Sequence, residues 1–277
     1  MPEGPEVKTI VTELNERVKG KMITSLEFSK RGKYGKKVPD NTHLLIKYLP
    51  LIIKSVKCKG KFIYFTLKEK EGEKFALGNG LGMSGKWEFR NSDQPSPKHA
   101  SLMLKIKGMR PLYFVDHRHF GNFYIYPTRQ YLEEKLDTIG PDFLNDGISF
   151  SLFSKRISSH PRMSINNLLM DQSIVSGIGN YIKAEVLYLA RISPHRKVDS
   201  LSKKDLENLY QSIKLVMTES YQSRGMSQSD YVDLDGEKGS YVSKLRVYGK
   251  KHDPLGNKVK AEKIGQRTTH WVPSLQI

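Results

Sequence analysis

Apolar positions fall into two different rhythms along this chain. Val7, Ile10, Val11, Leu14 and Val18 recur three or four places apart, which predicts a helix over residues 5–18 with one apolar face. Pro5 suits the first turn of that helix, where its missing N–H has no intrahelical partner to lose. From about residue 21 to 126 the period becomes two. The runs "KMITSLEF", "LIIKSV", "KFIYFTL", "SLMLKIK", "PLYFV" and "NFYIY" are short and rich in β-branched and aromatic residues, with Gly, Lys or Asp clusters between them. That is the sequence signature of a sandwich or barrel. "RNSDQPSPKHA" (90–100) reads as a polar loop inside this region.

Near residues 127–150 the alternation stops, and "IGPDFLNDG" reads as a linker. Helical spacing then returns. Leu206, Leu209, Tyr210, Ile213, Val216 and Met217 form one stripe, with Ser202 placed to cap its start. The tail "RVYGKKHDPLGNKVKAEKIGQRTTHWV" has strand and turn composition again, and no internal repeat is visible. The expected organisation is a β-rich N-terminal domain led by one helix, then a helical domain ending in a basic hairpin.

Composition sharpens this picture. A length of 277 residues suggests about two domains, and no apolar run approaches the roughly 18 residues needed to span a bilayer. With no secretory h-region at the N-terminus, the expectation is a soluble intracellular protein, in a nucleus or a DNA-containing cytoplasm. Cys58 is the single cysteine, which excludes a disulfide framework and a multi-cysteine zinc site. Lys and Arg number 46 against 29 Asp and Glu, a formal net charge of +17. Such a surplus points to a polyanionic partner, since each phosphate neutralised releases a condensed counterion. Charge alone implies nucleic acid of some kind, not catalysis.

Three patterns suggest chemistry that their context does not support. "GLGMSG" satisfies G-x-G-x-x-G, but "KWEFR" follows with strand alternation where a dinucleotide site needs a helix. Those glycines are read as a tight turn, or as room for something to approach the backbone. His117 and His119 would share a strand face, yet no third ligand stands nearby in sequence, and no metal is expected. "KRGKYGKK" (30–37) could be a nuclear address, but reads more simply as a solvated basic loop.

The opening "MPEGPEV" is different in kind. Removal of Met1 would expose Pro2 as a secondary amine. An α-amino group has a pKa of about 7.7–8.0, so a useful fraction is neutral near pH 7, and a neighbouring helix N-terminus favours that form. Neutral amines attack carbonyl-like carbons. Glu3 and Glu6 could then move a proton or orient the amine. Equally, acids in the first turn stabilise any helix.

"MPEGPEV" resembles the N-terminus of the formamidopyrimidine-DNA glycosylase / endonuclease VIII family, base-excision-repair enzymes whose N-terminal proline is the nucleophile. The Gly4 spelling is nearer the endonuclease VIII-like branch. The likeness continues in order along nearly the whole chain. "KGKFIYFTL" resembles the hairpin whose lysine, here Lys61, contacts phosphates beside the lesion. "LGMSG" resembles the turn whose methionine, here Met83, enters the void left by an everted nucleotide. "DHRHFG" resembles the family's Asp-Pro-Arg-Arg-Phe-Gly, giving Arg118 opposite the orphaned base and Phe120 as the wedge. His117 and His119 replace two of its residues.

"SGIGNYIKAEVLYLARISPHR" resembles the helix–two-turn–helix motif, in which Asn180 would bind phosphates and Glu185 would support the active site. "MSINNLLMDQ" resembles a segment that commonly carries a phosphate-binding lysine where this chain has Asn166, which implies a weaker contact there. The family's C-terminal four-cysteine zinc finger has no cysteines here, yet "GQRTTHWV" resembles its last strand, with Arg267 in the phosphate-binding place. From Lys244 to Arg267 there are eight Lys or Arg and two acids. A zincless finger follows, a hairpin held by packing and backbone hydrogen bonds.

The resemblance therefore implies an α+β fold: an N-terminal catalytic β-sandwich led by a helix (1–130), an interdomain linker (131–150), a helix–two-turn–helix domain (151–244) and a zincless finger hairpin (245–277). It implies a bifunctional DNA glycosylase and abasic-site lyase, monomeric, needing no metal or other cofactor. Damaged duplex DNA is the expected partner, and abasic or single-stranded DNA are admitted; no membrane is involved. Residues 221–241 stand where the base-capping loop lies and lack the Gly-Gly-Thr-Thr-Leu run of the 8-oxoguanine-excising branch. Oxidised pyrimidines and hydantoins are accordingly expected ahead of 8-oxoguanine. Two rival classes remain: a non-catalytic binder of distorted DNA or structured RNA, which would need no free imino terminus and which a retained Met1 would favour, and a charge-driven chromatin-type protein with no preference for damage.

Overall fold

Helix α1 (Gly4–Val18) starts one residue before the predicted position and buries the predicted stripe of Val7, Ile10, Val11, Leu14 and Val18. It belongs to a computed structural model that describes residues 2–69, 72–91, 93–227 and 231–277. The chain divides into two compact units. The first holds residues 1–2, 6–138 and 226–239; the second holds 3–5, 139–225 and 240–277.

In the first unit, the strands are β1 (Met22–Phe28), β2 (Leu51–Lys59), β3 (Phe62–Glu69), β4 (Gly72–Gly80), β5 (Lys86–Phe89), β6 (Ala100–Ile106), β7 (Leu112–Val115) and β8 (Asn122–Tyr126). They form one antiparallel ladder in the order β5-β7-β6-β1-β2-β3-β4-β8. The ladder curls until its two edge strands meet across a shared core. Trp87 of β5 packs edge-on against Phe123 of β8 at 6.0 Å, and Phe114 of β7 reaches the same ring at 5.0 Å. Buried Asn79 of β4 completes the closure: its Oδ1 accepts from Trp87 Nε1 (3.0 Å) and its Nδ2 donates to Asn122 O (3.2 Å). This closure gives the sandwich-like core expected from the period-two runs.

Short helices α2 (Lys33–Lys36) and α3 (Thr42–Lys47) interrupt the strands. Their segment blunts the exposed edge of β8, because Tyr34 Oη accepts from Phe123 N and Asn41 Nδ2 donates to Ile125 O. Helix α4 (Arg129–Asp137) occupies residues read above as the start of a linker. Only Leu132 of that helix is buried, so its sequence carries almost no apolar periodicity. β4 also escaped the sequence reading. Three of its nine residues are glycine, and Gly78 lies where a Cβ would strike the Phe62 ring at 2.5 Å.

Residues 226–239 group with this first unit rather than with the helices that precede them in sequence. Tyr231 and Leu234 join its hydrophobic core, Glu13 Oε2 accepts from Leu234 N, and Arg17 pairs with Asp235. Residues 228–230, within the stretch read as a base-capping loop, lie outside the described residues, as does Met1.

The second unit contains α5 (Phe150–Ser158), α6 (Ile165–Leu168), α7 (Asn180–Leu189), α8 (Lys203–Gln222) and a hairpin of β9 (Lys260–Ile264) and β10 (Arg267–Trp271). The predicted stripe of α8 is buried throughout, and Ser202 caps it reciprocally with Asp205 in a capping box. Between α6 and α7 the polypeptide makes two turns stapled by one side chain. Gln172 Oε1 accepts from Gly177 N (3.0 Å), while its Nε2 donates to Met170 O (3.0 Å) and Ile178 O (2.9 Å).

Candidate functional site

Two sequence motifs far apart in the chain are locked together in the first unit. The β4–β5 turn carries Met83 and Ser84, and the β7–β8 turn carries Asp116 to Gly121. Buried Asp116 collects the donors of both turns. Its Oδ1 accepts from Ser84 Oγ (2.6 Å) and Arg118 N (3.2 Å), and its Oδ2 accepts from Gly121 N (2.6 Å). Ser84 Oγ also accepts from Arg118 N at 3.1 Å. Gly82, at φ +67°, leaves the space this requires, since a Cβ there would sit 2.6 Å from the Phe120 carbonyl carbon. What approaches the glycines of "GLGMSG" is therefore the chain's own second turn.

The product is a rigid pair of turns with exposed tips. Phe120 keeps 52 % of its surface exposed, an expensive place for an apolar ring without a ligand. The Arg118 guanidinium lies over that ring at 5.0 Å. Arg118 and Phe120 thus share one turn, and the bonds of Ser84 hold the neighbouring turn of Met83 against it. His119 sits in the left-handed region at φ +56°. His99 joins the histidine pair, its ring 4.5 Å from His117 and 6.0 Å from His119. Desolvation first, then the neighbouring His117, Lys98 and His119, lowers the His99 pKa. Among the described residues no group of three or more His, Cys, Asp or Glu could hold a metal.

Pro2 is buried in the first unit, and Lys61 is half-buried in the two-residue turn joining β2 to β3. Glu6 is buried, with its Oε1 accepting from Met226 N at 2.7 Å, so it holds the root of the 226–239 segment.

Within the second unit, Glu3 occupies the N-terminus of α7. Its Oε1 accepts from Tyr181 N (3.0 Å) and its Oε2 from Ile182 N (3.3 Å). Orphan amides and the helix dipole make this end a natural carboxylate site. Gly179 is required there, because a Cβ would lie 2.2 Å from the Glu3 carboxyl carbon. The anion at this helix end is therefore the chain's own.

α7 also sets the finger. Asn180 Nδ2 donates to Thr268 O (2.9 Å). Lys183, fully buried, donates to Thr269 Oγ1 (2.9 Å), which donates in turn to Asn166 Oδ1 (2.9 Å). Burial pushes the Lys183 pKa down to about 8, with Glu3 pulling it up and Arg267 pressing it down. Asn166, Lys183 and the exposed Arg267 line one cavity of about 470 Å³. The sequence reading missed Lys183. Its signal was a cation inside the buried run Tyr181–Leu187 of α7, which only a polar task explains.

Glu185, the other charge in that run, is fully buried. It accepts from the backbone N–H groups of Arg246, Val247 and Tyr248, each at 2.9 Å, and fixes the entry into the finger. In the finger itself, buried Asp253 accepts from Leu255 N, Asn257 N, Asn257 Nδ2 and Tyr188 Oη within 3.1 Å. Gln276 closes the other end, accepting from Val272 N and donating to Ile192 O. Ala184, Val247, Val259 and Val272 fill the space between. The residues of this finger do not fit a tetrahedral zinc centre, because Cys58 lies in β2 and the Asp253 carboxylate is already occupied by four donors.

Fold and site together define a helix–two-turn–helix protein with a hairpin finger and a distinct β-rich unit. Family models for the formamidopyrimidine-DNA glycosylase N-terminal, H2TH and C-terminal domains match residues 1–123, 139–231 and 241–277. A Desulfitobacterium hafniense protein named formamidopyrimidine-DNA glycosylase is 30 % identical over all of both chains, and one from Prochlorococcus marinus is 33 % identical over the same share. Among solved structures, Lactococcus lactis Fpg with abasic-site DNA aligns at a TM-score of 0.87, with 30 % identity and 99 % of each chain covered. MutM with carbocyclic 8-oxo-G DNA aligns at 0.86, with the same identity and coverage. The chain belongs to the formamidopyrimidine-DNA glycosylase family.

Proposed function

We propose that this enzyme, a DNA glycosylase of base excision repair, works through Pro2 as nucleophile and follows base removal with strand cleavage as an abasic-site lyase. The observation that carries the reading is the braced pair of turns that holds Arg118 and Phe120 exposed beside a half-buried Met83. Such a wedge has a use only where a base leaves its stack. Eversion costs about a few kcal/mol, least for a damaged base, and side chains filling the gap offset part of it.

In the proposed chemistry, the neutral Pro2 nitrogen bonds to deoxyribose C1′ as the glycosidic bond breaks, and the base departs with that electron pair and takes a proton from water. The nitrogen then passes its own proton to the Glu3 carboxylate. Ring opening, with a proton delivered to O4′ from Glu3, leaves an iminium. Both Glu3 oxygens are oriented by α7 amides, and each keeps a lone pair for this traffic. The iminium acidifies C2′. Loss of that proton expels the 3′ phosphate, and a second elimination expels the 5′ phosphate. Glu6 acts by anchoring the 226–239 segment, and Glu185 by shaping the finger.

Lys61, Arg267 and the second N–H of the Asn180 amide grip phosphates. Lys183 supplies the ammonium that Asn166 lacks, since both line the cavity beside Arg267. Oxidised pyrimidines and hydantoins are the favoured lesions, placing the chain on the endonuclease VIII-like side of the family. Excision of thymine glycol should outpace that of 8-oxoguanine from matched duplexes; the reverse order would refute this preference. Borohydride with lesion-containing duplex should trap a covalent adduct that Pro2→Gly largely abolishes. Tight binding without any adduct would reject the mechanism.

A further inference from the structure

The edge strand β8 carries a feature the proposed chemistry does not use. Between it and residues 33–41 runs a groove of about 720 Å³, lined by Lys33, Lys37, Asn122, Tyr124, Tyr126 and Tyr131 among others. Tyr124 and Tyr126 stand two residues apart on one face of β8, their rings nearly parallel (22°) at 6.3 Å. Tyr131 stands on the adjoining α4. Among the described residues nine large hydrophobic side chains are exposed, and three of them line this groove: Val38 (41 %), Tyr124 (44 %) and Tyr131 (55 %). Aromatic faces gathered in water in this way call for a flat partner.

The rim of the groove is cationic. Lys33 and Lys37 line it, and they belong to "KRGKYGKK" (30–37), a stretch with five basic residues and no acid. The one lining acid, Asp40, pairs with Lys37 at 3.3 Å where both side chains are solvated, a weak contact. The groove also begins at the wedge. Lys33 Nζ donates to Gly121 O and to Asn122 Oδ1 (2.9 Å), the residues that directly follow Phe120.

Stacked aromatic rings beside a basic rim are the physical recipe for binding a single strand without sequence preference. A duplex buries its base faces and cannot use such rings, whereas an unpaired strand can. We propose that this groove is a single-stranded DNA site, separate from the lesion-processing machinery, in which two or three unpaired bases stack on Tyr124, Tyr126 and Tyr131 while their phosphates meet the basic segment 30–37.

The test is fluorescence anisotropy with an undamaged, labelled dT oligonucleotide of about 12 nucleotides, within the usual range for single-strand sites. Tyr124→Ala and Tyr131→Ala should each weaken binding by about tenfold, and Tyr124→Phe, which keeps the ring, should restore it. Lys36→Gln with Lys37→Gln should lower the slope of log affinity against log salt by about 1.4. Borohydride trapping on lesion-containing duplex should be unchanged in the tyrosine variants, so failure of the groove and failure of the nucleophile are separable. Unchanged oligonucleotide affinity in both alanine variants would overturn the proposal. So would an equal loss in the trapping assay, or binding of an oligoproline peptide with no binding of the oligonucleotide.

Discussion

The wedge turns of the first unit and the finger of the second both hold an arginine out on a polar loop. They do so by opposite means. Arg118 is set by one buried acceptor, Asp116, which gathers three donors from two turns. Arg267 stands at the tip of a hairpin whose placement is spread over Asn180, Lys183, Asn166, Glu185 and Asp253. A concentrated brace fails all at once when its centre is removed; a distributed one loses function in parts. In place of a single centre, this finger uses carboxylates that accept several amides each.

The strongest break of that contrast is Asp116→Ala. It strands two buried donors, Ser84 Oγ and Gly121 N, and removes one of the two acceptors of Arg118 N, so unfolding in urea should show a loss of about 3 kcal/mol or more, with DNA trapping lost as well. A loss below about 1 kcal/mol would mean that the turns hold themselves. Asp253→Ala should cost about 2 kcal/mol, because the three donors of its own turn and Tyr188 Oη are only part-buried, and phenanthroline should leave the wild-type unfolding midpoint unmoved. A chelator-sensitive midpoint would contradict the metal-independent finger.

Lys183 sharpens the comparison through pH. With a pKa near 8 its ammonium is lost as pH rises, so affinity for lesion-containing duplex should fall through pH 8. Stability of the free protein should move the other way. The unfolded chain binds that proton more tightly, so the folded state pays the full penalty below pH 8 and regains stability as pH climbs towards the value of a free lysine. Lys183→Met should flatten both slopes while changing affinity at pH 7 by about tenfold. Titrations of affinity and of the urea midpoint across pH 7–10 check the pair.

These polar centres mark the limit of what the sequence made legible. α1, α8 and the strands with bulky alternating residues were readable because their burial follows a period. α4 and β4 were not, since a helix with one buried leucine and a strand with three glycines leave no periodic trace. Of the candidate site, the residues at the turn tips could be named from their motifs: half-buried Met83 and exposed Arg118, Phe120 and Arg267. The braces behind them, Asp116, Ser84, Lys183 and Thr269, act through partners 32, 86 and 103 residues away in the chain. No local pattern encodes such a pairing. Glu3 shows the same limit, because its place at the start of α7 depends on Gly179, 176 positions downstream.

The covalent role of Pro2 can be read directly from mass. Protein trapped by borohydride on lesion-containing duplex, digested with nuclease and protease, should yield one peptide carrying the sugar remnant. That peptide should begin at Pro2 with Met1 absent and the remnant on its nitrogen. A remnant on Lys61, or an adduct on a chain that still carries Met1, would contradict the account.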